Sequence, residues 1–155
     1  KDVGIVSIID SRVGEKASSK YKQMIWDALP IKNRTSDFGK IKQFYDESFR
    51  NLPGIRLPIM PLNTTNSYQY YPIIVEDKYS LSRDELYDKL MSNGIHARKY
   101  FYPLCSDYEC YKDLSSSSEA NLAVANYYKT KVLCLPYYGS LDSYILESIV
   151  ETIRN

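Results

Sequence analysis

Apolar positions recur every three to four residues from Phe38 onward, so that Phe38, Ile41, Tyr45, Ser48 or Phe49, and Leu52 fall on one side of a helix. Thr35, Ser36 or Asp37 can cap its start, and Leu52-Pro53-Gly54 ends it. The pattern then changes to a short extended piece at Ile55 to Leu57, a loop through Pro58, Pro61 and Asn63 to Asn66, and a strand at Ser67 to Glu76. Pro72 cannot donate to a ladder, so that strand is expected at a sheet edge or a bulge.

The next helix has both ends specified. Ser82-Arg83-Asp84-Glu85 reads as a capping box, Leu81 and Leu86 as a hydrophobic staple, and Gly94 as the left-handed residue past the last turn. Leu86, Leu90 and Met91 share its apolar face, leaving Arg83, Asp84, Glu85, Asp88 and Lys89 as an expected solvated face. Gly94 to Leu104 reads as a strand that leaves the core and is stopped by Pro103. Ser106 to Leu114 reads as turns or short helix. Ser116 and Glu119 are spaced as a second capping box for a helix carrying Ala120, Val124, Tyr127 and Tyr128. Val132 to Leu135 is a strand ended by Pro136, and Asp142 caps a final helix with Ile145 or Leu146, Ile149, Val150 and Ile153 in one stripe.

Residues 1–34 resist the same treatment. Val3 to Ile9 is an apolar run of strand length without a nearby hairpin partner, and Ala17 to Leu29 fits a helix that Pro30 interrupts. The chain therefore divides into a poorly assigned segment, 1–34, and a domain, 35–155. The domain's alternation of helices and short strands implies an α+β fold: a small antiparallel or mixed sheet of about three strands with helices packed on it.

Charge narrows the function. The 20 basic and 19 acidic side chains balance, which argues against a nucleic-acid or anionic-membrane footprint, and no apolar run reaches the ~18 residues of a membrane span. The expectation is a soluble chain. Three cysteines without framework spacing suggest reduced, buried or half-buried thiols in a cytoplasmic protein. Cys105, Cys110, Cys134 and His96 lack the paired spacing of a zinc site, so no metal is expected. Tyrosine is the outlier at 16 residues, including Tyr70-Tyr71, Tyr127-Tyr128 and Tyr137-Tyr138. Rings that bury a face and keep a wet hydroxyl suit a cleft or an interface. There is no glycine-rich phosphate loop, HExxH or nucleophile elbow in the sequence.

One segment concentrates chemistry: Arg98, Lys99, Tyr100 and Tyr102, with Cys105 just beyond. Two cations suit a diphosphate, and tyrosine hydroxyls suit a sugar or base edge. Strand alternation puts Arg98, Tyr100 and Tyr102 on one face and Lys99 and Phe101 on the other. The same composition is compatible with a single-stranded RNA module or with a non-catalytic binding or dimerisation module.

Asn66-Ser67-Tyr68 into Tyr71-Pro72-Ile73, Leu81 to Leu86, Gly94 to Leu104, Val132 to Tyr137 and Leu52-Pro53-Gly54-Ile55-Arg56-Leu57 together resemble the carboxy-terminal, small domain of DegT/StrS-family nucleotide-sugar aminotransferases. The resemblance covers residues 35–155; Ser11 to Ala17 only faintly resembles the segment that closes the family's large domain. What it implies is a fold-type I, pyridoxal-phosphate-dependent homodimer that moves an amino group from glutamate to a keto sugar on a nucleoside diphosphate. The Schiff-base lysine lies in the large domain. No catalytic residue, no cofactor binding and no activity are therefore expected of this chain alone. Its implied contribution is substrate binding by Arg98, Lys99, Tyr100, Tyr102 and Cys105, the last standing where many members carry His.

Overall fold

The computed structural model describes residues 31–64 and 66–155, with side chains from residue 37 onward. The expectations for residues 1–30 lie outside the described residues. The backbone separates into a unit of residues 1–37, in which only the opening of the first helix is described, and a unit of residues 38–155 that carries the site.

Helix α1 spans Ile31–Phe49. It begins before the anticipated caps, so Thr35, Ser36 and Asp37 lie inside the helix rather than at its start. Within the second unit its apolar stripe behaves as the periodicity requires: Ile41, Tyr45 and Phe49 are all buried. Gly54 follows at φ 80°, and a Cβ there would lie 2.2 Å from the backbone nitrogen of Tyr79, so only glycine lets the chain pass.

Three strands form one antiparallel sheet in the order β1 (Ile55–Arg56), β2 (Tyr71–Val75), β3 (Val132–Leu135). The register pairs Ile55 with Val75 in one ladder, and Tyr71 with Leu135 and Ile73 with Leu133 in the other. Pro72 thus sits in the central strand, which corrects the edge expectation. The physical reason survives locally. The Val75 amide donates to Lys131 on the β3 side and the Glu76 amide to Gly54 on the β1 side, so position 72 would also donate toward β1. That two-residue strand reaches only Ile74, and the missing donor costs no ladder bond.

Alternation then sorts the faces. Tyr71, Ile73, Val75, Leu133 and Leu135 join one core with the α1 stripe, with Leu86 and Leu90 of α2 (Arg83–Ser92) and with Leu146, Ile149, Val150 and Ile153 of α4 (Ser143–Arg154). Leu90 and Ile149 have no exposed surface, so truncating either to alanine costs about 2–5 kcal/mol. Helix α2 has the capping box read from its sequence, the Ser82 hydroxyl accepting from the Glu85 amide and the Glu85 carboxylate from the Ser82 amide. Gly94, at φ 74°, closes it in a Schellman arrangement, the Ile95 amide donating to Leu90 at 2.9 Å. Asp142 caps α4 by accepting from the Tyr144 amide at 3.1 Å.

Two expected elements take another form. Residues 94–104 do not make a strand: Arg98 alone forms an antiparallel bridge, to Cys134, and the Tyr102 amide then turns back to the Lys99 carbonyl. The Ser116/Glu119 box does not start a helix either. Ser115–Ser117 is a short 3-10 turn, and α3 begins only at Ala123, running to Lys129. Local bonds from Asn121 to Ser118 and from the Asn121 side chain to the Ser115 carbonyl compete with helix in this serine-rich run.

Candidate functional site

A cavity of about 580 Å³ opens beside the outer edge of β3. Its walls come from the approach to β2 (Gln69, Tyr70), the segment after α2 (Ile95, His96, Arg98, Tyr100), the exit from β3 (Pro136, Tyr137, Tyr138) and α4 (Ile145, Ile149).

Placement of Arg98 follows from the segment before it. Ile95 and Ala97 are buried while His96 and Arg98 are exposed, so the anticipated alternation holds this far. The Arg98 amide donates to the Cys134 carbonyl at 2.9 Å, and the Cys134 amide returns a bond of 2.8 Å. With its backbone stapled to β3, Arg98 directs its guanidinium to Tyr100: Nη1 donates to the Tyr100 hydroxyl at 2.6 Å, and Cζ lies 5.8 Å from the ring centroid. Hydrogen bonding to Tyr100 holds the guanidinium even more firmly in its charged form. Tyr70 meets the Tyr100 ring edge-on, centroids 5.0 Å apart. No carboxylate among the described residues pairs with Arg98.

Lys99 and Tyr102 both lie outside the cavity lining, Lys99 on the face that the alternation gives it and Tyr102 against it. Lys99 turns toward α2, where Nζ lies 2.6 Å from Asp84 Oδ1 and 4.3 Å from the centroid of the Tyr87 ring. Tyr102 does not share the face of Arg98 and Tyr100: its ring lies over the Arg83 guanidinium, 5.2 Å from Cζ. The turn from Lys99 to Tyr102 is the physical reason, because strand alternation needs extended backbone. Cys105 begins the 3-10 turn Cys105–Asp107 and is exposed. Of the five residues singled out from sequence, the structure brings Arg98 and Tyr100 together at the cavity and leaves Lys99, Tyr102 and Cys105 outside its lining.

Other corrections concern burial. Arg83, expected on a solvated face, is 2% exposed, and its Nη1 donates to the Val132 carbonyl at 3.2 Å. Cys105 and Cys110 are exposed, contrary to the expectation of buried or half-buried thiols, whereas Cys134 is buried and its thiol is pushed up to about 11.

The sequence reading missed Gln69, Tyr70, His96, Tyr137 and Tyr138 as cavity residues. The doubled tyrosines held a usable signal. In an extended segment one member of each pair must face the core and the other the outside. Tyr71 is buried and donates to Asp46 Oδ1 at 2.8 Å, while Tyr70 is exposed at the cavity. Tyr137 is half-buried and donates to the Phe38 carbonyl at 2.9 Å, while Tyr138 is exposed. Burial raises the Tyr71 and Tyr137 hydroxyls above the ordinary tyrosine range, so both remain protonated donors.

None of the lining residues is a lysine, so these residues do not fit a Schiff base to an aldehyde cofactor. The cavity's own chemistry is binding: one cation without a carboxylate, an imidazole, and tyrosine rings and hydroxyls.

The chain is similar to two curated transaminases, both named dTDP-4-amino-4,6-dideoxy-D-glucose transaminase. One, from Escherichia coli, is 40% identical over 116 residues, covering 72% of this chain and 31% of the relative. The other, from Shigella dysenteriae, is 40% identical over 111 residues, covering 72% and 30%. The chain thus spans about a third of the length of these relatives. Its fold is similar to that of DesV from S. venezuelae, solved in complex with a ketimine intermediate, with a TM-score of 0.69 at 21% identity over 78% of this chain and 31% of that one. The model of the DegT/DnrJ/EryC1/StrS aminotransferases matches residues 31–154, and the chain belongs to that family.

Proposed function

We propose that this chain forms the small-domain wall of the substrate cleft in a sugar aminotransferase that carries an amino group from glutamate to a keto sugar on a nucleoside diphosphate. The observation that carries the reading is Arg98, a cation lining the cavity, paired to a tyrosine hydroxyl and to no carboxylate among the described residues. Such a guanidinium is suited to the diphosphate, which it can meet with two parallel donors. Tyr70 and Tyr138 present half-open rings on which a base or a sugar face can lie.

Family membership supports pyridoxal phosphate as the cofactor of the reaction. The cofactor's lysine is not among the residues of this cavity, so turnover requires residues outside it. The names of the two transaminases support a dTDP-linked sugar as the substrate. Homodimerisation and a cytoplasmic setting belong to the same proposal; no helix among the described residues is long and apolar enough to cross a membrane.

The test is to incubate the full protein with pyridoxal phosphate, glutamate and a dTDP-linked keto sugar and to follow the amino sugar by mass spectrometry, alongside calorimetric titration with dTDP. Amino-sugar formation together with saturable dTDP binding is the expected result. Failure of every nucleotide sugar to bind would remove the cavity from the substrate path.

A further inference from the structure

Arg83 carries a buried charge that the cavity does not use. Its Nη1 donates to Val132 of β3, Nε lies 2.9 Å from Asp84 Oδ1 without hydrogen-bond alignment, and Nη2 has no hydrogen-bond partner among the described residues. A guanidinium 2% exposed must be compensated by its surroundings or it destabilises the fold. The remaining compensation comes from the segment that follows Arg98. The Tyr102 ring covers Arg83 with its negative face, and Asp84 Oδ1 also takes the Lys99 ammonium, which rests on the Tyr87 ring. Lys99 and Tyr102 are the two ends of one turn, closed by the bond from the Tyr102 amide to the Lys99 carbonyl at 3.1 Å.

The segment is therefore held twice. Arg98 is bonded to Cys134 of β3 through both backbone groups, and the turn beginning one residue later is drawn onto the first two turns of α2 by charge and by an aromatic face. Tyr100 lies inside that turn, and its hydroxyl is the one hydrogen-bond partner the described residues give the Arg98 guanidinium.

We propose that Arg83 and Asp84 are positioning residues for the Arg98–Tyr100 anion site: from outside the cavity lining they grip the Lys99–Tyr102 turn and so aim the tyrosine hydroxyl that orients Arg98. The inference rests on the reading of the cavity as a sugar-nucleotide site. Neither residue lines that cavity, so neither touches the substrate. Their effect passes through the turn, and a small displacement there is costly because two donors must reach one diphosphate together.

The experiment compares the wild-type full protein with Asp84→Asn, Asp84→Glu and Arg98→Ala. Three readouts are taken: dTDP affinity by calorimetry, amide hydrogen exchange of the peptide covering residues 98–103, and circular dichroism to confirm folding. Asp84→Asn keeps the volume and removes the charge, which avoids the folding risk of replacing buried Arg83. The expected result is dTDP affinity weaker by about tenfold, faster exchange confined to residues 98–103, and recovery of both in Asp84→Glu. Unchanged exchange and affinity in Asp84→Asn, with Arg98→Ala still weakening binding, would overturn the positioning role. Unchanged affinity in Arg98→Ala would overturn the cavity reading instead, and accelerated exchange in Asp84→Asn would then still establish the grip on the turn.

Discussion

Arg98 and Lys99 are adjacent cations with opposite fates. The guanidinium of Arg98 lines an open cavity and engages a neutral hydroxyl and a ring, whereas the ammonium of Lys99 lies 2.6 Å from a carboxylate and rests on a second ring. A cation already neutralised by a close carboxylate has little left for an incoming anion; one held by a tyrosine hydroxyl keeps its full charge. The contrast teaches that residues equal in composition and neighbouring in sequence are separated by which wall each faces. The backbone bridge to β3 fixes Arg98, and the Asp84 carboxylate on α2 takes Lys99.

Replacing Arg98 with alanine tests the contrast most severely. Loss of a charged hydrogen-bonding pair to phosphate should weaken dTDP binding by about 30-fold, roughly 2 kcal/mol, measured by calorimetry. Tyr100→Phe comes next. It keeps the ring over the guanidinium and removes the orienting hydroxyl, so a loss of about fivefold, roughly 1 kcal/mol, is expected in the same titration. Lys99→Ala should cost no more than about threefold, less than Asp84→Asn, because a partly exposed ion pair contributes about 1 kcal/mol or less and the second hold on the turn, Tyr102 over an Arg83 still facing Asp84, stays in place. A Lys99 effect as large as that of Arg98 would break the comparison.

Acidification sharpens it without mutation. The Lys99 ammonium, followed by Arg83, holds the Asp84 carboxyl below the usual carboxylate range. A carboxyl depressed in the folded state contributes fully above its unfolded value and loses that contribution as pH falls through the folded one, here below about pH 4. An NMR titration should show the Lys99 ammonium and the Tyr87 ring shifting together in that window, and Asp84→Asn should abolish the transition. The smallest effect is in thiol chemistry. At pH 8 two thiols, Cys105 and Cys110, should react with a disulfide reagent in the native protein, and Cys134, buried and raised to about 11, only after unfolding.

Legibility followed the range of the physics. Helix α2 was readable at both ends because Ser82, Glu85 and Gly94 act through bonds within a few residues of themselves. Helix α4 was readable because its stripe and its Asp142 cap are likewise local. The Ser116/Glu119 spacing matched the same rule and yielded only a 3-10 turn, since the serines around it offer the backbone competing local bonds. The start of α1 was misplaced because three polar residues that can cap are also tolerated inside a helix.

The sequence by itself determined the α+β class and the faces of the helices, which rest on periodicity and short-range spacing, and a family resemblance over residues 35–155 carried by its motif residues. It also singled out Arg98 and Tyr100, because a cation beside an aromatic is legible wherever it falls. Only the tertiary structure decided that Tyr102 leaves that face, that Lys99 is taken by Asp84, that Arg83 is buried rather than solvated, and that Tyr70, His96 and Tyr138 complete the cavity. Those outcomes depend on contacts between residues far apart in the chain, such as Arg98 with Cys134 and Arg83 with Val132, which no local pattern encodes.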